Sequence, residues 1–184
     1  MNFIELIKSV LGGGQQQLIS PIPENYNPQF YAPSPTPTPT QPYRNPRWET
    51  WKETNPRSFA ELLAGTQEAS QNTGVPQELL MDISGLETTG GRYLDQMGGG
   101  VGRGYYQFEP ATTQDITSNM NPYSATDSAN LAAKEIAGGR LSRWGTPSGQ
   151  WGSLNNPKNM NGKLTDFYSK EELNRYLAPK FQFK

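Results

Sequence analysis

Cysteine and histidine are both absent from this chain of 184 residues. Without cysteine, disulfide bonds and thiolate catalysis are excluded. Without histidine, the chain lacks Ser-His and Cys-His nucleophile pairs, histidine metal sites and the usual imidazole acid or base. An enzyme built from the remaining residue types has to use Asp, Glu, Tyr, Lys or a hard metal ion. Carboxylate chemistry is therefore the leading option by elimination.

A strong charge of either sign and long apolar runs are also lacking. The formal net charge is −1, and there is no basic excess of the kind that nucleic-acid-binding proteins show. No apolar run approaches the roughly 20 residues that span a bilayer. The first residues, MNFIELIKSVLGGG, contain Glu5 and Lys8 and no small-residue cleavage site, so no signal peptide is recognised. These absences argue against nucleic-acid and membrane partners.

Residues 1–14 are predicted to form a short amphipathic attachment segment. Apolar residues recur at helical spacing from Phe3 to Leu11, and three glycines then end the pattern. A helix of about ten residues is marginal on its own in water. We therefore expect it to dock on a virion protein or another protein partner, or on its own domain, with a lipid surface least favoured.

Residues 15–47 are predicted to form an extended linker. Nine of the sixteen prolines lie between Pro21 and Pro46, including the alternating run PSPTPTPT. Proline at this density favours the polyproline II form and cannot donate to a β-ladder. The segment is interpreted as a tether, and a ligand for a proline-binding module is the alternative.

Residues 48–184 are predicted to form a mainly helical domain. Ser58 and Glu61 have the spacing of a capping box ahead of a first helix, and Ser169 and Glu172 repeat it near the end of the chain. The other predicted elements are helices over 77–88 and 126–137, a helix starting at Pro110, and one strand of a small β-hairpin over 104–108.

Glu87 is the candidate catalytic residue. It follows Leu80 by seven residues and Ile83 by four, so it belongs to the apolar face of the helix over 77–88. Burial and the negative end of the helix dipole both disfavour the charged form, so we expect a raised pKa for Glu87. Such a carboxyl group suits proton donation near neutral pH. The alternative is a structural Glu paired with Arg92 or Arg103.

The residues after Glu87 resemble a ligand-binding surface. Seven glycines lie between positions 90 and 104, and glycine lets a ligand approach the backbone closely. The run GGGVGRG is not a phosphate loop, because no Gly-Lys-Ser/Thr follows it. Aromatic rings stack on sugar rings, and glutamine pairs with hydroxyl and amide groups. The candidates are Tyr105, Tyr106, Gln107, Phe108, Trp144 and Trp151, with core packing as the alternative for each aromatic residue.

Three segments, LETTGG, GRGYYQFEPAT and NPYSATDSANLAAKEIA, together resemble the soluble lytic transglycosylase branch of the lysozyme-like superfamily over about residues 58–140. In that family a Glu-Ser pair ends a helix, a Gly-Leu-Met-Gln motif precedes a helix beginning at Pro, and an Asn/Asp-Pro segment leads into an Ala-rich helix. The family's Ala-Tyr-Asn motif, whose Tyr supports the acid, has no counterpart here. Tyr123, Tyr168 and Trp144 remain open as replacements.

The resemblance implies a lysozyme-like domain that cleaves the β-1,4 bond between N-acetylmuramic acid and N-acetylglucosamine in the glycan strands of peptidoglycan. Glu87 would be its general acid and base, with Thr88, Tyr105, Tyr106 and Gln107 in the substrate site. Trp144 is added as a substrate-binding aromatic residue. No cofactor is expected, and the acidic residues are too dispersed to propose a metal site.

Two alternatives to a transglycosylase stay open. A hydrolase of the same fold, a muramidase, would need a second carboxylate. Asp95 is the better candidate for it, because Asp82 lies off the Glu87 face of the helix. The other alternative is a non-catalytic structural or adaptor protein of a virion. The attachment segment and linker suit such a protein and are equally compatible with a tethered enzyme. By analogy, the preferred setting is a phage-type enzyme on the virion or at the cell envelope, and otherwise in the host cytoplasm before release.

Overall fold

The computed structural model describes residues 43–109 and 120–184. These residues form a mainly helical domain, as the sequence predicts. The α-helices are α1 (Arg47–Thr54), α2 (Pro56–Thr73), α3 (Gln77–Thr88), α4 (Ala125–Ala137) and α5 (Lys170–Asn174). Short 3-10 turns cover Met97–Gly99, Leu141–Trp144, Leu164–Asp166 and Pro179–Phe181. The predicted attachment segment, most of the linker and the helix starting at Pro110 lie outside the described residues.

Helix α1 was not expected from the sequence. Its only large apolar residues, Trp48 and Trp51, are three positions apart and therefore share one face. Both are buried, and their rings meet edge to face with centroids 5.0 Å apart. Tyr43, ahead of the helix, packs against Trp48 and Phe59 with ring centroids 5.9 Å away in each case. Residues just before α1 thus belong to the packed domain.

Helices α2, α3 and α4 build the core. Phe59, Leu62 and Ala69 of α2 recur at helical spacing and are buried, and Leu63 is partly buried against the same core. At Gly65 a side chain would lie 2.9 Å from the backbone of Ala125, so the missing Cβ lets α2 and α4 approach closely. The predicted capping box at Ser58 is wrong, because α2 begins at Pro56. Proline is preorganised for a first helical turn, so the helix starts before the serine.

Helix α3 has the bounds that its apolar pattern predicts. Nine of its residues are buried, including Leu80 and Ile83, so neighbours enclose it on most sides. The residue that follows the helix, Thr89, adopts the left-handed conformation with φ 56° and ψ 48°. Among the described residues, no helix is long and apolar enough to cross a lipid bilayer.

The predicted strand over 104–108 is wrong. Arg103 and Phe108 exchange backbone hydrogen bonds of 3.0 and 2.9 Å, which close a tight loop between them. Gly104 and Gln107 have φ values of 72° and 50°, a region that extended strands do not occupy. Only isolated β-bridges occur in the described part of the chain, so the expected hairpin is reduced to this loop.

Residues 141–184 complete the domain and supply one side of the site described below. Their buried residues Leu141, Leu154 and Leu164 join the common core. The predicted capping box at the start of α5 is confirmed. The Ser169 hydroxyl accepts from the Glu172 backbone N–H at 3.2 Å, and the Glu172 carboxylate accepts from the Ser169 N–H at 2.8 Å.

Candidate functional site

Glu87 lies where two cavities meet. It is the penultimate residue of α3 and is half-buried, since it faces both cavities while the rest of the helix packs in the core. The larger cavity has a volume of about 530 Å³ and the smaller one about 270 Å³. Gln96 and Gln107 line both cavities together with Glu87. The two cavities are therefore adjacent at Glu87, and together they are called the groove below.

The electrostatic environment of Glu87 favours the protonated form. Burial raises the pKa of Glu87 from 4.5 to about 7, while the side chain and backbone amide of Ser153 favour the carboxylate and offset part of that effect. Its buried Oε1 atom has no hydrogen-bond partner among the described residues. A carboxyl group in this state can hold a proton at neutral pH and release it to a bound ligand.

Neither arginine considered as a structural partner pairs with Glu87. The guanidinium of Arg92 lies over the ring of Tyr93, 5.2 Å from its centroid. Arg103 pairs instead with Asp95, at 3.5 Å. In the described part of the chain, Glu87 thus has no ion-pair partner that would keep it ionised.

Aromatic residues dominate the larger cavity. Tyr106, Phe108 and Trp144 form a triad of rings with centroids 5.9 to 6.1 Å apart. The Trp144 indole donates to the Tyr106 carbonyl at 2.9 Å, which fixes the orientation of its ring. Trp151 also lines this cavity and is 48% exposed. The Tyr106 hydroxyl is buried without a hydrogen-bond partner among the described residues.

Amide groups dominate the smaller cavity. Gln107 holds its side-chain amide against the carbonyls of Gly104 and Leu94 at 3.0 and 3.2 Å. These bonds use the NH2 donors of the amide, leave its side-chain oxygen as an acceptor without a partner among the described residues, and fix the loop beside Glu87. The remaining polar lining comes from Asp95, Gln96, Lys158, Asn159 and Asn161, with Met97 and Met160 as exposed apolar members.

The structure brings together some of the predicted site residues and separates others. Glu87, Tyr106, Gln107 and Trp144 line the groove, and Asp95 lines its smaller cavity. Thr88 and Tyr105 line neither cavity. The Thr88 hydroxyl donates to Ser84 at 2.7 Å and accepts from the Gly91 N–H at 3.0 Å, so it stabilises the end of α3.

Tyr105 has a packing role on the other side of its loop. It is buried and donates its hydroxyl to Glu61 of α2 at 3.1 Å. Tyr106 lines the larger cavity, but it is 0% exposed and packs against Phe108 and Trp144. The alternative of core packing therefore describes both tyrosines.

Asp95 is engaged by two neighbours. Its carboxylate accepts from the Tyr123 hydroxyl at 2.6 Å and pairs with Arg103. Tyr168, another tyrosine considered as a support for the acid, donates to Asp82 at 2.8 Å instead. Both tyrosines thus bond a carboxylate other than Glu87.

Several groove residues were missed by sequence reasoning. Ser153, Lys158, Asn159 and Asn161 all come from one segment near the end of the chain. The signal was the amide-rich stretch LNNPKNMNG, which combines turn-forming residues with hydrogen-bonding side chains. Only the fold shows that this stretch lies beside the end of α3.

No group of three or more acidic side chains that could hold a metal ion occurs in residues 43–109 and 120–184. The chain matches no protein-family model, and comparisons with curated proteins and with solved structures give no significant match. The family resemblance therefore rests on the sequence motifs alone.

Proposed function

We propose that this protein is a peptidoglycan lytic transglycosylase in which Glu87 is the general acid and base. The observation that carries the proposal is the position of Glu87 at the junction of two cavities, with a pKa raised to about 7. A groove that continues on both sides of a proton donor suits a polymer that passes across the acid and is cut within its length.

The walls of the groove support a sugar polymer as the substrate. Trp151 offers an exposed ring face, and the apolar faces of sugar rings stack on such surfaces. The buried rings of Tyr106 and Trp144 form an apolar floor of the same cavity. The Gln107 side-chain oxygen can accept and the Asn159 side-chain NH2 group can donate, since neither forms a hydrogen bond among the described residues, and this matches hydroxyl and N-acetyl groups. This combination of an aromatic ring face and amide groups fits N-acetylated glycans.

In the proposed reaction, protonated Glu87 donates its proton to the glycosidic oxygen as the bond from C1 of N-acetylmuramic acid to that oxygen breaks. The resulting carboxylate then accepts the proton of the C6 hydroxyl of the same muramic residue. The C6 oxygen bonds to C1 and gives a 1,6-anhydro end, and Glu87 recovers its proton. One residue thus completes the cycle without water as a reactant.

A hydrolase of the same site is the second candidate, and the location of Asp95 favours it. Asp95 lines the smaller cavity together with Glu87, where a second carboxylate could help water attack C1. The ion pair with Arg103 and the bond from Tyr123 hold that carboxylate in place. The products distinguish the two reactions, since hydrolysis leaves reducing ends and no anhydro sugar.

The decisive experiment compares wild type with Glu87→Gln on purified peptidoglycan. We expect solubilised fragments with anhydro ends from the wild type, detected by mass spectrometry, and no release by the variant. Glu53→Gln is a matched control, because Glu53 is also the penultimate residue of a helix but is exposed on α1. Release by Glu87→Gln at the wild-type rate would contradict an acid role for Glu87, whereas no release by the wild type itself would favour a non-catalytic protein.

The biological setting proposed from the sequence is a virion-associated enzyme. Residues 1–14 would dock on the particle, and the proline-rich residues that follow would let the domain reach the cell wall. Copurification of the protein with particles tests this setting. We expect deletion of residues 1–14 to abolish copurification while the activity on purified peptidoglycan is retained, and equal copurification of the truncated protein would contradict the docking role.

A further inference from the structure

Helix α3 ends immediately after Glu87, so several carbonyls near the acid need partners from outside the helical pattern. The Ser84 carbonyl accepts from the Thr88 hydroxyl at 2.7 Å, and the Thr88 carbonyl accepts from the Tyr93 N–H at 3.0 Å. The Leu86 carbonyl, directly before Glu87, accepts from the side-chain amide of Asn161 at 2.9 Å. A single distant side chain therefore satisfies the backbone next to the acid.

The same amide also bonds the residue that turns the chain away after Glu87. Thr89 has φ 56°, in the left-handed region that a β-branched residue rarely adopts. Its hydroxyl oxygen lies 3.0 Å from Nδ2 and 3.3 Å from Oδ1 of Asn161. The amide thus contacts the chain on both sides of Glu87 and stabilises Thr89 in its strained conformation. A strained backbone of this kind persists only when surrounding contacts hold it.

Asn161 is itself held firmly. It is 8% exposed, its backbone N–H donates to the Asn159 side chain at 2.9 Å, and it lines the smaller cavity with Glu87. It comes from the amide-rich segment that forms one wall of the groove. One side chain therefore connects that wall to the end of the helix that carries the acid.

We propose that Asn161 is a positioning residue, which holds the Glu87 carboxyl group at the junction of the two cavities by bonding Leu86 and Thr89. This inference rests on the proposed function and adds to it the residue that orients the acid. Loss of the amide frees the last turn of α3, so the carboxyl group rotates toward solvent. Its pKa then falls toward 4.5, because solvent stabilises the charged form.

The test compares Asn161→Ala and Asn161→Asp with wild type, and measures the Glu87 pKa by carboxyl carbon NMR together with kcat and KM. We expect Asn161→Ala to lower kcat about 10- to 100-fold with little change in KM, as misplacement of a catalytic group does. We also expect the pKa of Glu87 to fall in Asn161→Ala. Asn161→Asp places a like charge beside the acid, so its Glu87 pKa rises.

Asn155→Ala is the matched control. Asn155 belongs to the same segment and bonds Pro147 at 2.6 Å and Thr165 at 2.9 Å, but it touches neither α3 nor the cavities. We expect it to leave kcat and the Glu87 pKa unchanged. The other charged residues lining the cavities are Asp95, Glu109, Arg143 and Lys158, and they are the same in every variant.

An unchanged kcat and Glu87 pKa in folded Asn161→Ala overturn the inference, and so do equal effects of Asn155→Ala. If Asn161→Ala does not fold, the isosteric Asn161→Asp decides, because it also lacks the Nδ2 donor to the Leu86 carbonyl. We expect its kcat to fall with little change in KM, and a wild-type kcat in this variant overturns the inference. If the wild type releases nothing from peptidoglycan, the proposed function fails, while the Glu87 pKa in Asn161→Ala still tests the positioning role.

Discussion

The indole N–H of Trp48 donates to Oδ1 of Asp82 at 2.7 Å, and this bond joins α1 to the middle of α3 in the core. Tyr168 donates to the other oxygen of the same carboxyl group at 2.8 Å. Asp82 is 1% exposed, and burial raises its pKa from 3.8 to about 6 against the effect of both donors. The residue is thus a structural carboxyl group, close in sequence to Glu87 but separate from the groove.

Asp82→Asn should reduce the dependence of stability on pH. The folded state keeps its proton up to about pH 6 whereas the unfolded state loses it near 3.8, so wild-type stability falls as pH rises between these values. The fall attributable to Asp82 is about 1–3 kcal/mol. Chemical unfolding at pH 4 and pH 7 measures it. An unchanged difference between the two pH values in Asp82→Asn would contradict the assignment.

Glu87→Gln should raise the free energy of unfolding at pH 8. The pKa of Glu87 is about 7 in the folded state against 4.5 unfolded, so ionisation above that range destabilises the fold. We expect a gain of about 1–3 kcal/mol at pH 8 that disappears below pH 4. The exposed Glu53→Gln should show no gain. Equal changes in the free energy of unfolding for the two substitutions would indicate that burial of the ionised Glu87 does not destabilise the fold.

Activity should require the protonated form of Glu87. The initial rate of peptidoglycan release at low substrate should fall about ten-fold per pH unit above the pKa, which is about 7. Circular dichroism at each pH checks that the fold persists. A flat profile up to pH 9 would mean that another group supplies the proton.

The two tryptophans of the larger cavity should differ in what they control. Trp151 is 48% exposed, so Trp151→Ala should weaken substrate binding and raise KM with a change in stability below about 1 kcal/mol. Trp144 is 4% exposed, and Trp144→Ala should destabilise the domain by about 3–5 kcal/mol. Thermal unfolding and kinetics of both variants separate the roles. A wild-type KM in Trp151→Ala would remove this ring from the proposed binding surface.

Gly104 should tolerate no side chain. A Cβ there would lie 1.8 Å from the Pro122 carbonyl oxygen, whereas at Gly98 nothing lies within 4 Å. Both glycines have similar positive φ values, 72° and 76°, so the two alanine variants share the backbone strain of about 1 kcal/mol. Gly104→Ala should be destabilised by several kcal/mol more than Gly98→Ala. Similar melting temperatures of the two variants would show that the contact with Pro122 can relax.

Sequence periodicity predicted the helices whose apolar residues recur over several turns. Both α3 and α4 have bounds within one residue of the prediction, because their buried faces are continuous. Helix α1 was not predicted because its two tryptophans form too short a pattern to reveal the helical repeat of apolar residues. The segment 104–108 was misassigned because aromatic residues favour strands, while two left-handed residues in it dictate a loop.

Glu87 could be singled out from the sequence because its helical face is a local property. The opposite wall of the groove could not be predicted in the same way. Asn161 bonds a carbonyl 75 residues earlier in the chain, and no local pattern encodes a contact over that separation. The roles of Tyr105 and Tyr106 likewise depended on which side of the loop meets the core.

The residues just ahead of α1 are the place where a force on the preceding chain would reach the domain. Tyr43 packs on Trp48, and Arg44 pairs with Glu172 at 2.8 Å, so this short stretch contacts both α1 and the start of α5. A pulling force applied through the preceding chain is carried by these contacts and passes through the Trp48–Asp82 bond into α3. Tension from an anchor would therefore reach the very helix that presents the acid.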